Sequence, residues 1–132
     1  MRYLLDANAI SHVIRFPRGS VSERMEQVGL ENIFTSLIVN AEIAFGVRKK
    51  GVPELAAKVE SVMRRLLSLP WDVPANEHYA IIRAHLEKAG KPIVPNDLLI
   101  AAHALALDAI LVTDNEKEFA RVPGLKIENW LR

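Results

Sequence analysis

Short apolar segments alternate along this chain with longer segments of helical periodicity, and this alternation restricts the fold more than any other feature. Strands following one another through helices need crossover connections, which favour a parallel sheet covered by helices on both faces. We therefore predict an α/β fold of the three-layer sandwich type. The predicted strands are residues 2–5, 33–35, 69–73, 109–112 and 126–128, and the predicted helices begin near residues 7, 20, 37, 55, 75 and 95.

The length and composition of the chain suit one domain over residues 1–132, because half of the residues are hydrophobic. Lys and Arg number 17 against 16 Asp and Glu, so the net charge of +1 gives no general attraction to nucleic acid. The absence of cysteine excludes disulfides, zinc–thiolate sites and cysteine nucleophiles. We find no signal peptide and no apolar run of roughly 18 residues, and we expect a cytoplasmic protein.

Four acidic residues stand where such a sheet would gather them. Asp6 follows the first strand, and Asp114 follows the strand that ends at Val112. Glu42 interrupts an apolar stripe on its helix, and Asp97 lies in the first turn of a helix that is apolar nearly all round. Since parallel sheets bind ligands beyond the carboxyl ends of their strands, we expect these carboxylates to converge there.

Each acid also has an ordinary structural explanation when it is taken alone. Asp6 and Asp97 suit helix N-termini, where a carboxylate caps the backbone or offsets the helix dipole. Asp114 begins an Asp-Asn pair, which is typical of turns. Glu42 could be neutralised in a buried ion pair, because an unpaired buried carboxylate is costly. The sequence leaves these explanations open.

Taken together, the four acids predict a cation site. Crowded carboxylates raise one another's pKa values, and a hard cation such as Mg²⁺ or Mn²⁺ relieves their repulsion through oxygen ligands. Such a cation lowers the pKa of a coordinated water and orients it toward a phosphorus atom. The combination therefore favours metal-assisted hydrolysis of a phosphodiester.

Three segments, in this order, resemble the PIN domain. They are Leu5-Asp6-Ala7-Asn8, the segment 40–46 around Glu42, and the segment 95–104 around Asp97. The stretch from Leu111 to Trp130 is similar to the VapC toxins within that family, so the resemblance covers essentially the whole chain. It implies a PIN-like fold and an Mg²⁺- or Mn²⁺-dependent endoribonuclease that is the toxin of a type II toxin–antitoxin pair.

The resemblance also implies partners and roles. Such toxins cut RNA, often at a structured tRNA or rRNA site, usually form homodimers and are held inactive by a cognate antitoxin. Asp6 and Asp97 would be the main metal ligands, with Glu42 a ligand or a positioner of the attacking water. The fourth acid of the family usually lies two residues after the threonine, where this chain has Asn115. We predict Asp114 as the fourth catalytic acid, with Asn115, Glu116 and Glu118 as alternatives, and leave open whether one or two ions bind.

Two other functions fit parts of the sequence. A phosphatase could use Asp6 as its nucleophile, but such enzymes need a second aspartate two residues later, where this chain has Asn8. A non-catalytic module that only binds a partner is the alternative from another class. The presence of Asp6, Glu42 and Asp97 together argues against it.

The remaining polar features have simpler explanations. The basic runs 48–50 and 64–65 could contact RNA phosphates but are more simply solvated helix faces. We expect His103 to be a core or surface histidine and not a general acid. The hydroxyls of Thr35, Ser36 and Thr113 stand at strand ends, where they can hydrogen-bond to carboxylates or water.

Overall fold

The computed structural model describes residues 1–132, and its centre is a sheet of five short strands that are all parallel. The strand order is β3-β2-β1-β4-β5, so β1 is central. This arrangement confirms the predicted α/β class. The strands are β1 (Tyr3–Leu5), β2 (Ile33–Ser36), β3 (Leu67–Leu69), β4 (Ile110–Val112) and β5 (Ile127–Glu128).

Seven α-helices flank the sheet, and a short 3₁₀ helix over Leu30–Asn32 precedes β2. None of them has the length and apolarity needed to cross a membrane. The predicted long helices are all present. They are α1 (Ala7–Arg15), α2 (Ser20–Val28), α3 (Leu37–Lys50), α4 (Pro53–Arg64), α5 (Ala75–Lys88) and α6 (Pro95–Ala106), and α7 (Glu116–Phe119) is a single short turn.

The strand register brings several loops to one edge of the sheet. Leu5 of β1 pairs with Val112 of β4, and Leu4 pairs with Phe34 of β2. The backbone N–H of Asp6 continues the ladder and donates to the Val112 carbonyl at 2.9 Å. The residues that follow these strands, from which α1, α3 and the β4–α7 turn begin, therefore lie side by side.

The core is one cluster of 24 buried hydrophobic residues, and α6 runs through it. Leu98, Ile100 and Ala101 of this helix are buried, as are most residues of its following turns. The near-continuous apolar sequence of α6 is thereby explained, because a central helix meets protein on nearly every side. Burial fixes the position of the first turn, which carries Asp97.

Two short elements differ from the predictions. The third strand is Leu67–Leu69 and not 69–73, because Pro70 has no N–H to continue the ladder with β2. Helix α7 was not predicted, since four residues are too few to display a helical period.

Candidate active site at the carboxyl edge of the sheet

Asp6 lies at the end of β1, where it is the N-cap residue of α1, and it is 5% exposed. Its Oδ1 accepts the Ala7 N–H at 2.8 Å, and its Oδ2 accepts the Thr113 hydroxyl at 2.9 Å. Burial raises the pKa of Asp6, these two hydrogen bonds oppose the rise, and the charge of Glu118 adds to it. The two hydrogen bonds therefore hold the carboxylate in place, while burial makes its ionised form less favourable.

Glu42 projects from the second turn of α3 toward the same edge. Its Oε2 accepts from the Asn96 side-chain amide at 3.4 Å, while its Oε1 is buried without any hydrogen-bond partner. Burial raises the pKa of Glu42, and the negative charge of Asp6 contributes to the rise. An unsatisfied buried carboxylate oxygen is costly, so this atom points to a missing donor or cation.

Asp97 and Glu118 form the other half of the cluster. Burial, a hydrogen bond with Glu118 and the charges of Glu118, Asp6 and Glu42 raise the pKa of Asp97 from 3.8 to about 7. Burial also acts to raise the pKa of Glu118, but hydrogen bonds from the Val94 N–H, from Asn115 and from Asp97 outweigh it and lower the pKa. The proximity of the two carboxyl groups therefore makes the charged form of Asp97 unfavourable.

Asn115 and Thr113 connect these carboxylates. The Asn115 side-chain amide donates to Asp97 Oδ2 at 3.3 Å and to Glu118 Oε2 at 3.1 Å. The Thr113 hydroxyl oxygen, which donates to Asp6, accepts the Asn115 backbone N–H at 3.0 Å. The turn after β4 therefore orients three of the four acids, as predicted for Thr113. Thr35 instead donates to the Leu5 carbonyl at 2.7 Å.

Asp114, the predicted fourth acid, lies outside the cluster. Its backbone N–H donates to Asn8 Oδ1 at 2.9 Å, and its carboxylate accepts from Asn129 at 3.0 Å and lies 3.7 Å from Arg132. Glu116 also accepts from Asn129, at 3.0 Å. The structure brings together Asp6, Glu42 and Asp97, and places Glu118 in the fourth position. Glu118 lies three residues after Asn115 in the sequence. The single turn of α7 brings the two side chains together, so that Asn115 donates to Glu118.

The charge of Arg121 acts on Glu118, but no cationic side chain forms a salt bridge with any of the four acids. The four salt bridges of the chain all lie elsewhere, which removes the buried ion pair as an explanation for Glu42. No three Asp, Glu or His side chains are arranged as a formed metal site. The donors are nonetheless all oxygens, three of the carboxyl pKa values are raised, and Glu42 Oε1 is unsatisfied. These features fit a hard divalent cation.

Comparison with known proteins identifies the family of this chain. Residues 3–125 match the family model of the PIN domain. The chain is 39% identical over 132 residues to a protein of Rickettsia felis named Ribonuclease VapC2, with 98% of both chains covered. It is 34% identical over 131 residues to the tRNA(fMet)-specific endonuclease VapC of Shigella flexneri, again with 98% of both covered. The crystal structure of VapBC2 from Rickettsia felis, bound to a DNA fragment from its promoter, superimposes with a TM-score of 0.91 at 38% identity, covering 98% of this chain and 99% of that chain.

Proposed function

Because this chain belongs to the PIN domain family and groups with the VapC ribonucleases within it, we propose that it is an endoribonuclease toxin whose acidic cluster binds Mg²⁺ or Mn²⁺. Its reaction is the hydrolysis of an RNA phosphodiester. Structured tRNA is the first substrate class to test, since one relative is a tRNA(fMet)-specific endonuclease. An RNA substrate and an antitoxin partner both suit a cytoplasmic location.

The observation that carries the proposal is the convergence of four carboxyl groups, none of which has a salt-bridge partner. In water, carboxylates at this proximity would repel one another, and burial increases the repulsion. A divalent cation removes that cost and also offsets the repulsion between an acidic site and a polyanion. The cluster therefore favours the proposed cation over a purely structural role.

The residues divide the chemistry among them. Asp6 and Asp97 would hold the ion, which when bound lowers the pKa of water and polarises the scissile phosphate. Glu42, whose raised pKa makes it a better base, would accept a proton from the water that attacks phosphorus. Thr113 keeps Asp6 in place, and Asn115 does the same for Asp97 and Glu118. The P–O bond to the leaving oxygen then breaks, and that oxygen takes up a proton from solvent.

The position of Asp6 disfavours the phosphatase alternative. Both of its carboxylate oxygens are engaged in hydrogen bonds, and 95% of its surface is covered. Phosphatases of this kind also need a second aspartate two residues later, where this chain has Asn8.

The test is RNA cleavage by purified protein with Mg²⁺ or Mn²⁺, comparing Asp97→Asn with Asp114→Asn. The two variants make the same chemical change, but only Asp97 lies in the cluster. We expect Asp97→Asn to lose at least about a hundredfold in kcat, a magnitude comparable to the loss of one electrostatic group at an active site. Asp114→Asn should retain activity within a few-fold. Equal activity of wild type and Asp97→Asn would refute the proposal, and an inactive Asp114→Asn would return Asp114 to the site.

The proposed antitoxin has a suitable surface in a groove that none of the four acids lines. Helices α1, α2 and α4 enclose a groove of about 740 Å³. Its lining combines apolar side chains with four cations and two acids, namely Val13, Ile14, Met25, Leu30 and Val62 with Arg15, Arg18, Lys58, Arg65, Glu23 and Glu26. This excess of positive charge fits an acidic antitoxin segment with apolar anchors.

The groove is tested with the antitoxin encoded beside this chain. Arg65→Glu should weaken antitoxin binding by at least about tenfold through charge reversal, while RNA cleavage is unchanged. Arg64→Glu is the matched control, because Arg64 lies next to it but pairs with Glu60 outside the groove. Equal affinity of the two variants would place the antitoxin elsewhere.

A second copy of this chain is the proposed occupant of the apolar face of α3. Leu37, Ala41, Ala44 and Phe45 recur on one side of this helix and are all exposed, with Phe45 at 68%. A contiguous exposed apolar face marks an interaction surface. Phe45→Glu should convert a dimer into a monomer in light scattering, whereas Phe16→Glu, at an exposed phenylalanine of the α1–α2 connection, should not. A monomeric wild-type protein would refute the dimer.

A further inference from the structure

A buried hydrogen bond outside the acidic cluster joins the two helices that carry Glu42 and Asp97. His103 of α6 and Ser36 at the start of α3 are 2% and 0% exposed. The His103 Nδ1 atom lies 2.8 Å from the Ser36 Oγ atom. A contact this short between fully buried groups is shielded from competition by water.

The neighbours of this pair fix where its protons lie. Ser36 Oγ accepts the Ile38 N–H at 3.0 Å as the N-cap of α3, which leaves its own O–H to be donated. Burial lowers the pKa of His103, although Asp72 and the Pro70 carbonyl favour its protonated form. Because the Pro70 carbonyl can only accept a hydrogen bond from His103, we assign the ring proton to Nε2, which leaves Nδ1 to accept from the Ser36 hydroxyl.

This bond is one of two that cross between α3 and α6. The second runs from the Asn96 amide to Glu42, is 3.4 Å long and lies at the surface. Ser36 precedes Glu42 by six residues, and His103 follows Asn96 by seven, so the two helices run antiparallel between the bonds. Seven residues of helix span about 10 Å, which separates the two contacts.

The two contacts resist the repulsion within the cluster unequally. When Asp97, next to Asn96, is deprotonated, it and Glu42 repel each other as like charges, and this repulsion tends to separate α3 from α6. The surface contact is long and competes with water, so it opposes the separation weakly. The buried Ser36–His103 bond is short, and breaking it would leave two buried polar groups unsatisfied.

We propose that the Ser36–His103 hydrogen bond sets the separation of Glu42 and Asp97, which makes His103 a positioning residue for the cation site. The inference rests on the proposed function, because it concerns the same cluster. Apolar side chains at these two positions could not form a directional bond between the helices, so the proposal accounts for a polar pair buried in the core. His103 touches none of the four acids and acts only through the helices.

The test compares His103→Leu, which removes the polar atom, with His103→Asn, whose Oδ1 can accept the Ser36 proton. Two measurements are made: the Mn²⁺ dissociation constant by calorimetry, and crystal structures of metal-free protein. We expect His103→Leu to raise the dissociation constant at least about tenfold, as loss of an orienting group around a metal does, and His103→Asn to restore most of the affinity. Crystals of His103→Leu should show the Asn96–Glu42 contact lengthened beyond 3.4 Å.

Val21→Ala is the control for a merely structural effect, because Val21 is fully buried on α2, which carries no acid of the cluster. It should lower stability and leave Mn²⁺ affinity unchanged. If His103→Leu does not fold, the same comparison is made at Ser36. Ser36→Ala removes the hydroxyl that bonds to His103, and Ser36→Thr keeps it. The inference is overturned if α3 and α6 superimpose in the metal-free variant and wild-type crystals. Wild-type protein that binds no Mn²⁺ would refute the cation site. The crystal structures of metal-free protein would still test whether the bond sets the spacing of α3 and α6.

Discussion

The raised pKa of Asp97 predicts that metal-free protein loses stability as the pH rises. The pKa of Asp97 increases from 3.8 to about 7 on folding, so the folded state binds a proton that the unfolded chain has released. Stability from this group is fully present below about pH 4 and is lost as the pH rises through 7. Three pKa units correspond to about 4 kcal/mol, but the carboxyl is half-buried and solvent screening reduces this to about 1–2 kcal/mol.

The assay is urea unfolding in EDTA between pH 5 and pH 8, on wild type, Asp97→Asn and the control Asp114→Asn. Wild type and Asp114→Asn should both be less stable at pH 8 than at pH 5, and Asp97→Asn should show a flatter profile. A residual slope is expected from Asp6 and Glu42, whose pKa values are also raised. Mg²⁺ should stabilise wild type more at pH 8 than at pH 5, because it binds the deprotonated form. An Asp97→Asn protein that is less stable than wild type at pH 8 in EDTA would refute the reasoning.

Three further variants extend the argument. Thr113→Val should weaken Mn²⁺ binding about 10- to 100-fold by releasing Asp6, with Thr113→Ser close to wild type in calorimetry, and equal losses in both would contradict the hydroxyl's role. Glu118→Gln should lower the pKa of Asp97 toward 3.8, read from the carboxyl ¹³C shift in EDTA, whereas Glu116→Gln should leave it at about 7; an unmoved value in Glu118→Gln would separate the two residues. Phe119→Ala, at a fully buried side chain of α7, should cost about 3–5 kcal/mol in urea unfolding, and a cost under 1 kcal/mol would show that α7 is not held by the core.

Local pattern was sufficient for most of the fold. The six longer helices were predicted because each displays an apolar period over at least two turns. The parallel sheet followed from the crossovers. The third strand was placed two residues too late, and α7 was missed, because short elements take their bounds from tertiary hydrogen bonds and not from their own sequence.

The candidate site was only partly within reach of the sequence. The positions of Asp6, Glu42 and Asp97 after strands and on core-facing helices predicted their convergence, and the fold brings them together. Asp114 has a stronger sequence position than Glu118, since it follows the strand directly. It nevertheless turns toward Asn129 and Arg132, which only the path of the C-terminal segment decides.

The sequence by itself determined which residue types were available and the order of strands and helices, because hydrophobic period, caps and Pro and Gly positions act over a few residues. The tertiary structure decided which acids lie close together, which carboxylate oxygen is left without a partner and which carboxyl pKa values are raised. These properties depend on distances and burial among residues up to 112 positions apart, from Asp6 to Glu118, and no local pattern encodes them.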